Sequence, residues 1–510
     1  MPRPRALLPL WAAVLASVLG GLALTTAFPA LSWWPMVFVA IPLALVSLIG
    51  RRAGGAFLVG TAYGAAFFLV NVSFTARYLG PVPWLALSVL EAVLTGAGAI
   101  LITWAYRWVP QALRGTWPRL TVLPLLVAGL WVLREQWVGT FPYGGFPWGR
   151  VGVTQVNGPF ASLLSWIGMS GVGFVVVLLC AAAIEYVRVR RFTDIRTAVP
   201  VAVVAVIAFA MPAFETTAAG TLRIGSVQGN GPAGYFDQRT RGALLDAQLK
   251  ATEAIADDRM DLLVWPEGGI DSDPTANRTT AAALDTLSDR IGAPLLVNAA
   301  TARGDRYFNT SMLWEPEKGV VASYDKIHPV PFGEYVPDRP FFAALAPDLI
   351  NLIQREYTPG TAEPVVELGD TPIGLAICFD VIYDDVVWAA SDGGAQVYVY
   401  QTNNADFRGT DENLQQLAFA RARAIETGRA VVNISTVGTS QVIAPSGDVI
   451  DGIAADIAGA MVTEVPLRTG TTAAMVLGPA LHAVFAWGSL LALLGAGLAA
   501  RLRAPRRERA

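Results

Sequence analysis

Between Met1 and Phe214 the chain carries only four acidic residues, Glu91, Glu135, Glu185 and Asp194, scattered through long apolar runs. A helix needs roughly 20 apolar residues to cross the hydrocarbon of a bilayer. Stretches of that kind lie near 7–27, 32–50, 55–76, 84–106, 120–137, 160–187, 197–214 and 475–500. Backbone in lipid must satisfy its own N–H and C=O groups, so this material can fold only as a helical bundle, and eight spans are expected. From Glu215 to about Thr472 the composition becomes that of a soluble globular domain, before a last apolar stretch from Ala473 to Leu502. Three regions follow: a membrane body of seven helices over 1–214, a globular domain over 215–472, and an eighth helix with a basic tail over 473–510. The net charge of -3 averages two unlike materials, identifies no partner and gives no basis for nucleic-acid binding.

The first span also has the look of a signal peptide, with Arg3 and Arg5 ahead of an apolar stretch. Its apolar region is long for one, so retention is expected. Arginine in short loops sets orientation. Arg51 and Arg52 follow the second span, Arg107, Arg114 and Arg119 the fourth, and Arg188, Arg190, Arg191 and Arg196 the sixth. The tail adds Arg501, Arg503, Arg506, Arg507 and Arg509, whereas the alternate loops carry only Arg77, Arg134 and Arg150. With eight spans every basic-rich loop falls on the cytoplasmic side, which puts 215–472 on the outer face. Glu91, within the fourth span, faces either the bundle interior or water near the interface. The aromatic and glycine-rich loop 139–150 suits the headgroup zone, either as plain anchoring or as one lip of a lateral opening for lipid with the segment 331–360.

In the globular region, strand-like runs occur at Leu222–Gln228, Leu262–Trp265, Pro294–Asn298, Ser311–Trp314, Val320–Tyr324, Ile373–Ile377, Gln396–Tyr400, Ala430–Ser435 and Ser440–Ala444. Helical patterns at Thr240–Ala256, Thr279–Ile291 and Glu412–Thr427 fall between some of them. Apolar strands alternating with amphipathic helices predict a layered α/β domain. No glycine-rich phosphate loop and no G-x-S-x-G follows a strand, which argues against nucleotide-dependent and serine-hydrolase chemistry. With two cysteines, no disulfide framework is proposed; with two histidines, no zinc cluster and no metal site is.

One of those cysteines, Cys378, ends the run Pro-Ile-Gly-Leu-Ala-Ile-Cys-Phe-Asp, where an apolar strand stops abruptly. Such a strand-to-turn step can lift a nucleophile into a cleft, although a free cysteine is more often a small buried hydrophobe. Glu267 ends Leu-Leu-Val-Trp-Pro-Glu, and its apolar neighbours can raise a carboxyl toward the range of a general base. A helix cap is the plainer reading for Glu267. Lys326 is one of three lysines in a chain where arginine supplies every other cationic side chain. A compact amine among prolines and aromatics can steady an oxyanion, or simply face solvent.

Pro-Glu after a strand, Lys-x-His-x-Val-Pro-Phe-Gly-Glu, and Cys after a strand resemble the nitrilase superfamily. The flanking apolar spans, the run Tyr-Asp-Lys-Ile-His-Pro-Val-Pro-Phe-Gly-Glu-Tyr-Val-Pro, Phe-Pro-Trp in the 139–150 loop and Ala-Arg-Ala-Arg-Ala-Ile-Glu-Thr-Gly-Arg at 420–429 are similar to its membrane-embedded branch, the apolipoprotein N-acyltransferases. The resemblance implies an αββα sandwich on an eight-helix body, with Glu267, Lys326 and Cys378 as catalytic triad and Glu334 assisting. It implies acyl transfer from a phospholipid, through a cysteine thioester, to the α-amino group of a diacylglyceryl-modified apolipoprotein. No cofactor, a monomer, and a bacterial cytoplasmic (inner) membrane location with the catalytic domain outside are expected with it. Phe379 and Asp380 stand where the family usually has tyrosine and glutamate, and Thr402-Asn403-Asn404-Ala405-Asp406-Phe407 departs from its serine-asparagine-aspartate run. Phe146, Trp148, Tyr235 and Phe236 are the candidate lipid contacts, the last two in place of a family tryptophan. Two rivals stand beside this reading: a membrane-tethered nitrilase-type amidohydrolase that transfers the acyl group to water, and a transporter or receptor with Glu91 as coupling residue.

Overall fold

The computed structural model describes residues 6–503, so the flanking Arg3, Arg5, Arg506, Arg507 and Arg509 lie outside the described residues. The described chain separates into two compact units, one formed by residues up to Ala213 together with the segment from Val476, the other by Phe214–Met475.

In the first unit five helices are long and apolar enough to cross a membrane: Ala53–Asn71, Pro81–Ala112, Trp117–Val138, Ala161–Val189 and Ala473–Arg503. The expected spans at 7–27, 32–50 and 197–214 correspond to shorter helices, Leu10–Thr25, Trp34–Leu48 and Ile195–Ala210. Local chemistry shortens them. Thr25 and Thr26 turn their hydroxyls back onto the carbonyls of Leu22 and Ala23, the second helix opens on Trp34-Pro35, and the third stops one residue before Met211-Pro212. Glu91 is 1% exposed, which places it in the bundle interior and removes the water-facing alternative. Trp148, offered as a lipid contact, is buried, with Phe74 centred 5.3 Å away and Phe146 stacked on it at 5.6 Å. Phe141 and Tyr143 are the rings exposed on this loop.

The second unit holds twelve strands in two sheets. The first orders β12-β1-β2-β3-β4-β5, with β1 (Thr217–Gln228), β2 (Leu262–Val264), β3 (Leu295–Arg303), β4 (Arg306–Glu315), β5 (Gly319–Asp325) and β12 (Gly459–Thr469). The second orders β11-β10-β9-β8-β7-β6, with β6 (Val365–Leu368), β7 (Thr371–Ile377), β8 (Val397–Thr402), β9 (Val431–Ser435), β10 (Ser440–Ile443) and β11 (Val449–Ile453). Each sheet has a parallel heart, β1-β2-β3 and β7-β8-β9, flanked by antiparallel strands. β6, β11 and β12 are absent from the sequence reading. β6 and β11 are short edge strands, and β12 alternates buried with partly exposed positions.

Strand alternation builds the layers. Successive side chains point to opposite faces, so Leu262 and Val264 enter the core between the sheets while Leu263 and Trp265 meet the outer helices. Ile373, Leu375 and Ile377 of β7 and Val397 and Val399 of β8 complete the inner layer from the other sheet. On the first sheet's outer face lie the helices Ala243–Thr252 and Arg278–Ile291, and on the second's lie Asp384–Asp392 and Glu412–Thr427. The result is helix, sheet, sheet, helix. The predicted helix Thr240–Ala256 is shorter as an α-helix and runs on as a tight turn over Glu253–Ile255.

At the end of β8 the inward position is a glutamine. Gln401 Nε2 donates to the Trp265 carbonyl at 2.6 Å and the Leu296 carbonyl at 3.3 Å, and its Oε1 accepts from Ser311, so one buried amide joins three strands of the opposite sheet. Gln401→Leu strands the Trp265 carbonyl, at a cost of about 1–3 kcal/mol. We expect the thermal transition of the detergent-solubilised variant to fall by roughly 2–10 °C, read by differential scanning fluorimetry.

Candidate active site

Cys378 takes φ of +50° directly after β7. A non-glycine residue pays a steric penalty there and holds it only when its surroundings over-determine the turn. Asp380 supplies one constraint from below. Its carboxylate accepts from the backbone N–H of Ile377 at 3.2 Å, the Tyr324 hydroxyl at 2.8 Å and the His328 N–H at 2.9 Å. Arg423 supplies the other from the Glu412–Thr427 helix, donating to the Val381 carbonyl at 2.9 Å and pairing with Asp384 at 2.8 Å. The shorter carboxylate at 380 is therefore a structural clamp reaching three donors, one of them a tyrosine hydroxyl from β5. Phe379, without a hydroxyl of its own, is buried against Tyr383, ring centroids 5.3 Å apart.

Glu267 reaches the same place from β2. The strand ends at Val264, and the turn is secured where the N–H of Gly268, at φ +61°, donates to Asn298 Oδ1 at 2.7 Å. Lys326 arrives from the end of β5 with its backbone N–H on the Asn309 carbonyl at 2.9 Å. Its ammonium, 1% exposed, lies 2.8 Å from Glu334 Oε2 and 3.3 Å from Glu267 Oε1. Glu267 and Lys326 both act electrostatically on the Cys378 thiol, the carboxylate pushing it up and the ammonium pulling it down. The fold thus gathers Glu267, Lys326, Cys378 and Glu334, which lie on four separate segments of the sequence.

The two carboxylates are not equivalent. Burial acts on both, but Glu334 also receives the Lys326 ammonium, the Val330 N–H at 2.8 Å and Asn309 at 3.0 Å, and it is held below its ordinary value. Glu267 is pushed up by burial, with Lys326 only partly offsetting this and Glu334 adding to it. Burial alone would pull Lys326 down, yet the carboxylates keep it well above its usual value. Burial, then the Glu267 charge, pushes the Cys378 thiol well up. The result is a Lys326–Glu334 ion pair beside a thiol and a carboxyl, both of which burial pushes toward their neutral forms.

Several residues here were not found in the sequence. Asn309 of β4 donates one amide nitrogen to Glu267 at 2.7 Å and Glu334 at 3.0 Å, and its oxygen accepts from Asn298 at 2.9 Å. Gln416 donates to the Cys378 sulfur at 3.3 Å, and Asn404 bridges Gln416 and Glu412. Amides carry no charge signature, so only the spacing of Glu412 and Gln416, one helical turn apart on a recognisable helix, hinted at a shared face. Tyr235 and Phe236 lie in this same unit. Tyr235 binds the 352–354 segment through its hydroxyl, 2.8 Å from the Gln354 N–H, with the Arg355 guanidinium 4.5 Å over its ring, whereas Phe236 is exposed. Phe146 and Trp148 belong to the other unit. Among the described residues no three His, Cys, Asp or Glu side chains gather so as to hold a metal ion.

Residues 20–182 match the family described as the apolipoprotein N-acyltransferase N-terminal domain, and residues 223–474 match carbon-nitrogen hydrolase. The latter match, with the two sheets and their helices, makes this a nitrilase-fold domain. The chain is 33% identical to the apolipoprotein N-acyltransferase of Mycolicibacterium smegmatis over 94% of its own length and 84% of the relative's. It is 28% identical to that of Gloeobacter violaceus, over 96% and 93%. Among solved structures, an amidase from Nesterenkonia sp. aligns at 21% identity and a TM-score of 0.37, over 49% of this chain and 92% of that one.

The Asp380 clamp is open to a direct test. Asp380→Asn offers one acceptor oxygen to three donors, so at least one N–H or O–H is stranded, at about 1–3 kcal/mol. We expect a lower thermal transition together with slower alkylation of Cys378 by iodoacetamide, followed by intact-protein mass spectrometry.

Proposed function

The chain belongs to the apolipoprotein N-acyltransferase family, and on that premise we propose that Cys378, Glu267 and Lys326 carry out its acyl transfer in two half-reactions. The enzyme acts on lipoproteins at a membrane; the donor is a phospholipid. The observation that carries the assignment of residues is the buried Lys326 ammonium held between Glu267 at 3.3 Å and Glu334 at 2.8 Å, with Cys378 presented on a left-handed turn directly after its strand.

In the first half-reaction the Cys378 sulfur attacks the ester carbonyl of the phospholipid as its proton passes to Glu267. The negative charge that develops on the carbonyl oxygen is met by the Lys326 ammonium and by backbone N–H groups after Cys378. On collapse the C–O bond breaks, Glu267 returns the proton to the departing glyceryl oxygen, and lysophospholipid leaves a thioester on Cys378. In the second, the α-amino group of the diacylglyceryl-cysteine attacks that thioester. Glu267 takes a proton from the attacking nitrogen, the C–S bond breaks, and the thiol is restored as the amide forms. Glu334 keeps Lys326 charged throughout, and the raised Glu267 is the group suited to moving a proton near neutral pH.

Support for membrane placement comes from the five long apolar helices, the three shorter ones, and the crowding of arginine into alternate loops. On this reading all eight cross the cytoplasmic membrane and the catalytic unit, as a monomer, faces outward, where both substrates are held by their acyl chains. Labelling of single cysteines introduced at Lys250 and Arg114 with a membrane-impermeant maleimide in intact cells tests it. Reaction at 250 alone supports the outward assignment, and reaction at 114 alone reverses it.

Incubation of the purified enzyme with phospholipid is expected to add one acyl mass to wild type and none to Cys378→Ala. A diacylglyceryl peptide discharges the adduct, whereas water does so far more slowly; rapid loss to water identifies a hydrolase instead. Glu267→Gln lowers the first half-reaction by about 10²–10⁴-fold. Because the folded pKa of Glu267 is raised, the base is present only above that raised value. Activity therefore falls as pH drops through it, and the acid limb lies nearer neutrality than that of an ordinary carboxylate. A pH–rate profile of acyl-enzyme formation reads the limb directly.

A further inference from the structure

We propose that Gln416 is a catalytic hydrogen-bond donor to the Cys378 sulfur and that Asn404 is the positioning residue that keeps its amide turned that way. The inference deepens the Cys378 assignment above and rests on it. Gln416, Asn404, Glu412 and Ser435 are all buried.

The direction of every bond follows from two backbone groups. The Gly438 N–H at 2.9 Å and the Val437 N–H at 3.4 Å both donate to Ser435 Oγ, which fills its two acceptor sites and leaves the serine proton to seek an acceptor. It donates to Asn404 Oδ1 at 2.6 Å. That fixes which end of the Asn404 amide is which, a distinction decided by such networks. Asn404 Nδ2 then spends its two hydrogens on Glu412 Oε2 at 2.7 Å and Gln416 Oε1 at 2.9 Å. With its oxygen engaged, Gln416 can present only Nε2 to Cys378, and it does so at 3.3 Å.

The sulfur therefore has a proton acceptor, Glu267, and a separate N–H donor, Gln416. A donor favours the sulfur whenever it carries charge: as the nucleophile of the first half-reaction and as the leaving group of the second. The other charged or titratable groups facing it are Lys326 from β5, which favours the thiolate, and Glu412, which opposes it. Glu334 acts through Lys326, and burial pushes Glu412 up to about 8. Asn404 stands within the segment that departs from the usual family run, so this network belongs to the chain's own version of the site.

The test uses the full-length enzyme in detergent on a Cys180→Ala background, which leaves Cys378 as the only thiol. The rate of alkylation by iodoacetamide is followed against pH by intact mass, with no acyl donor present. Gln416→Leu should slow alkylation at neutral pH on the order of tenfold and move the midpoint of the rate profile to higher pH. Asn404→Asp should reproduce the shift without touching Cys378, because an aspartate cannot donate to Gln416 and draws its N–H away from the sulfur. A structural role alone would lower the thermal transition and leave the pH midpoint in place, which overturns the proposal. So does a Gln416→Leu profile that overlays the parent, and that variant decides the matter if Asn404→Asp does not fold. Since alkylation needs no phospholipid, a shifted profile without acyl-enzyme formation would keep this inference and sink the donor assignment.

Discussion

The nitrilase-fold unit is organised around a lysine ammonium taken almost wholly out of water, with a carboxylate on either side. Removing an ion from solvent costs several kcal/mol on the order of, and only close partners with their own hydrogen bonds offset it. The strand ends around Lys326 are arranged accordingly. Glu334 is saturated with donors and stays ionised, Asn309 ties the two glutamates together, and Asn298 fixes Asn309 while holding the turn that delivers Glu267. The asymmetry between the carboxylates comes from these neutral amides and backbone groups as much as from charge. It leaves Glu267 as the member that burial pushes up.

Cys378 depends on a second, independent arrangement. Its left-handed backbone is tied by Asp380 to the end of β5 and by Arg423 to the helix beyond. A residue pair that departs from the family pattern is thereby explained in place: Asp380 is a clamp whose length suits its three donors, and Phe379 packs as a ring. Rigidity at this turn matters because a reacting atom displaced by even 1 Å loses much of the advantage of positioning, by about 10²-fold.

Much of this was legible beforehand because the signals are local. Alternation in Leu262–Trp265 and Ile373–Ile377, the helix Glu412–Thr427, and acidic or nucleophilic residues at strand ends are properties of a few consecutive residues. Edge strands β6 and β11 escaped because edges are short and partly exposed, so their apolar pattern is weak. Helix lengths in the other unit were overestimated because hydropathy continues past the point where Thr25, Thr26 or Met211-Pro212 ends the helix. The burial of Trp148 was not legible either, because it comes from Phe74 and Phe146 packing around the ring.

By itself the sequence determined that this chain has a membrane body and a layered α/β domain, and which thiol, carboxylate and amine stand at the ends of strands. Those facts follow from composition and short-range periodicity, which any segment carries with it. Only tertiary structure decided which glutamate is held below its ordinary value and which is pushed up, which way each amide points, and that Asn309, Gln401, Asn404 and Gln416 belong to the site and its support. These residues act by accepting and donating across distant strands. A hydrogen bond between residues separated by 90 positions, as between Ser311 and Gln401, leaves no trace in either one's neighbours along the chain.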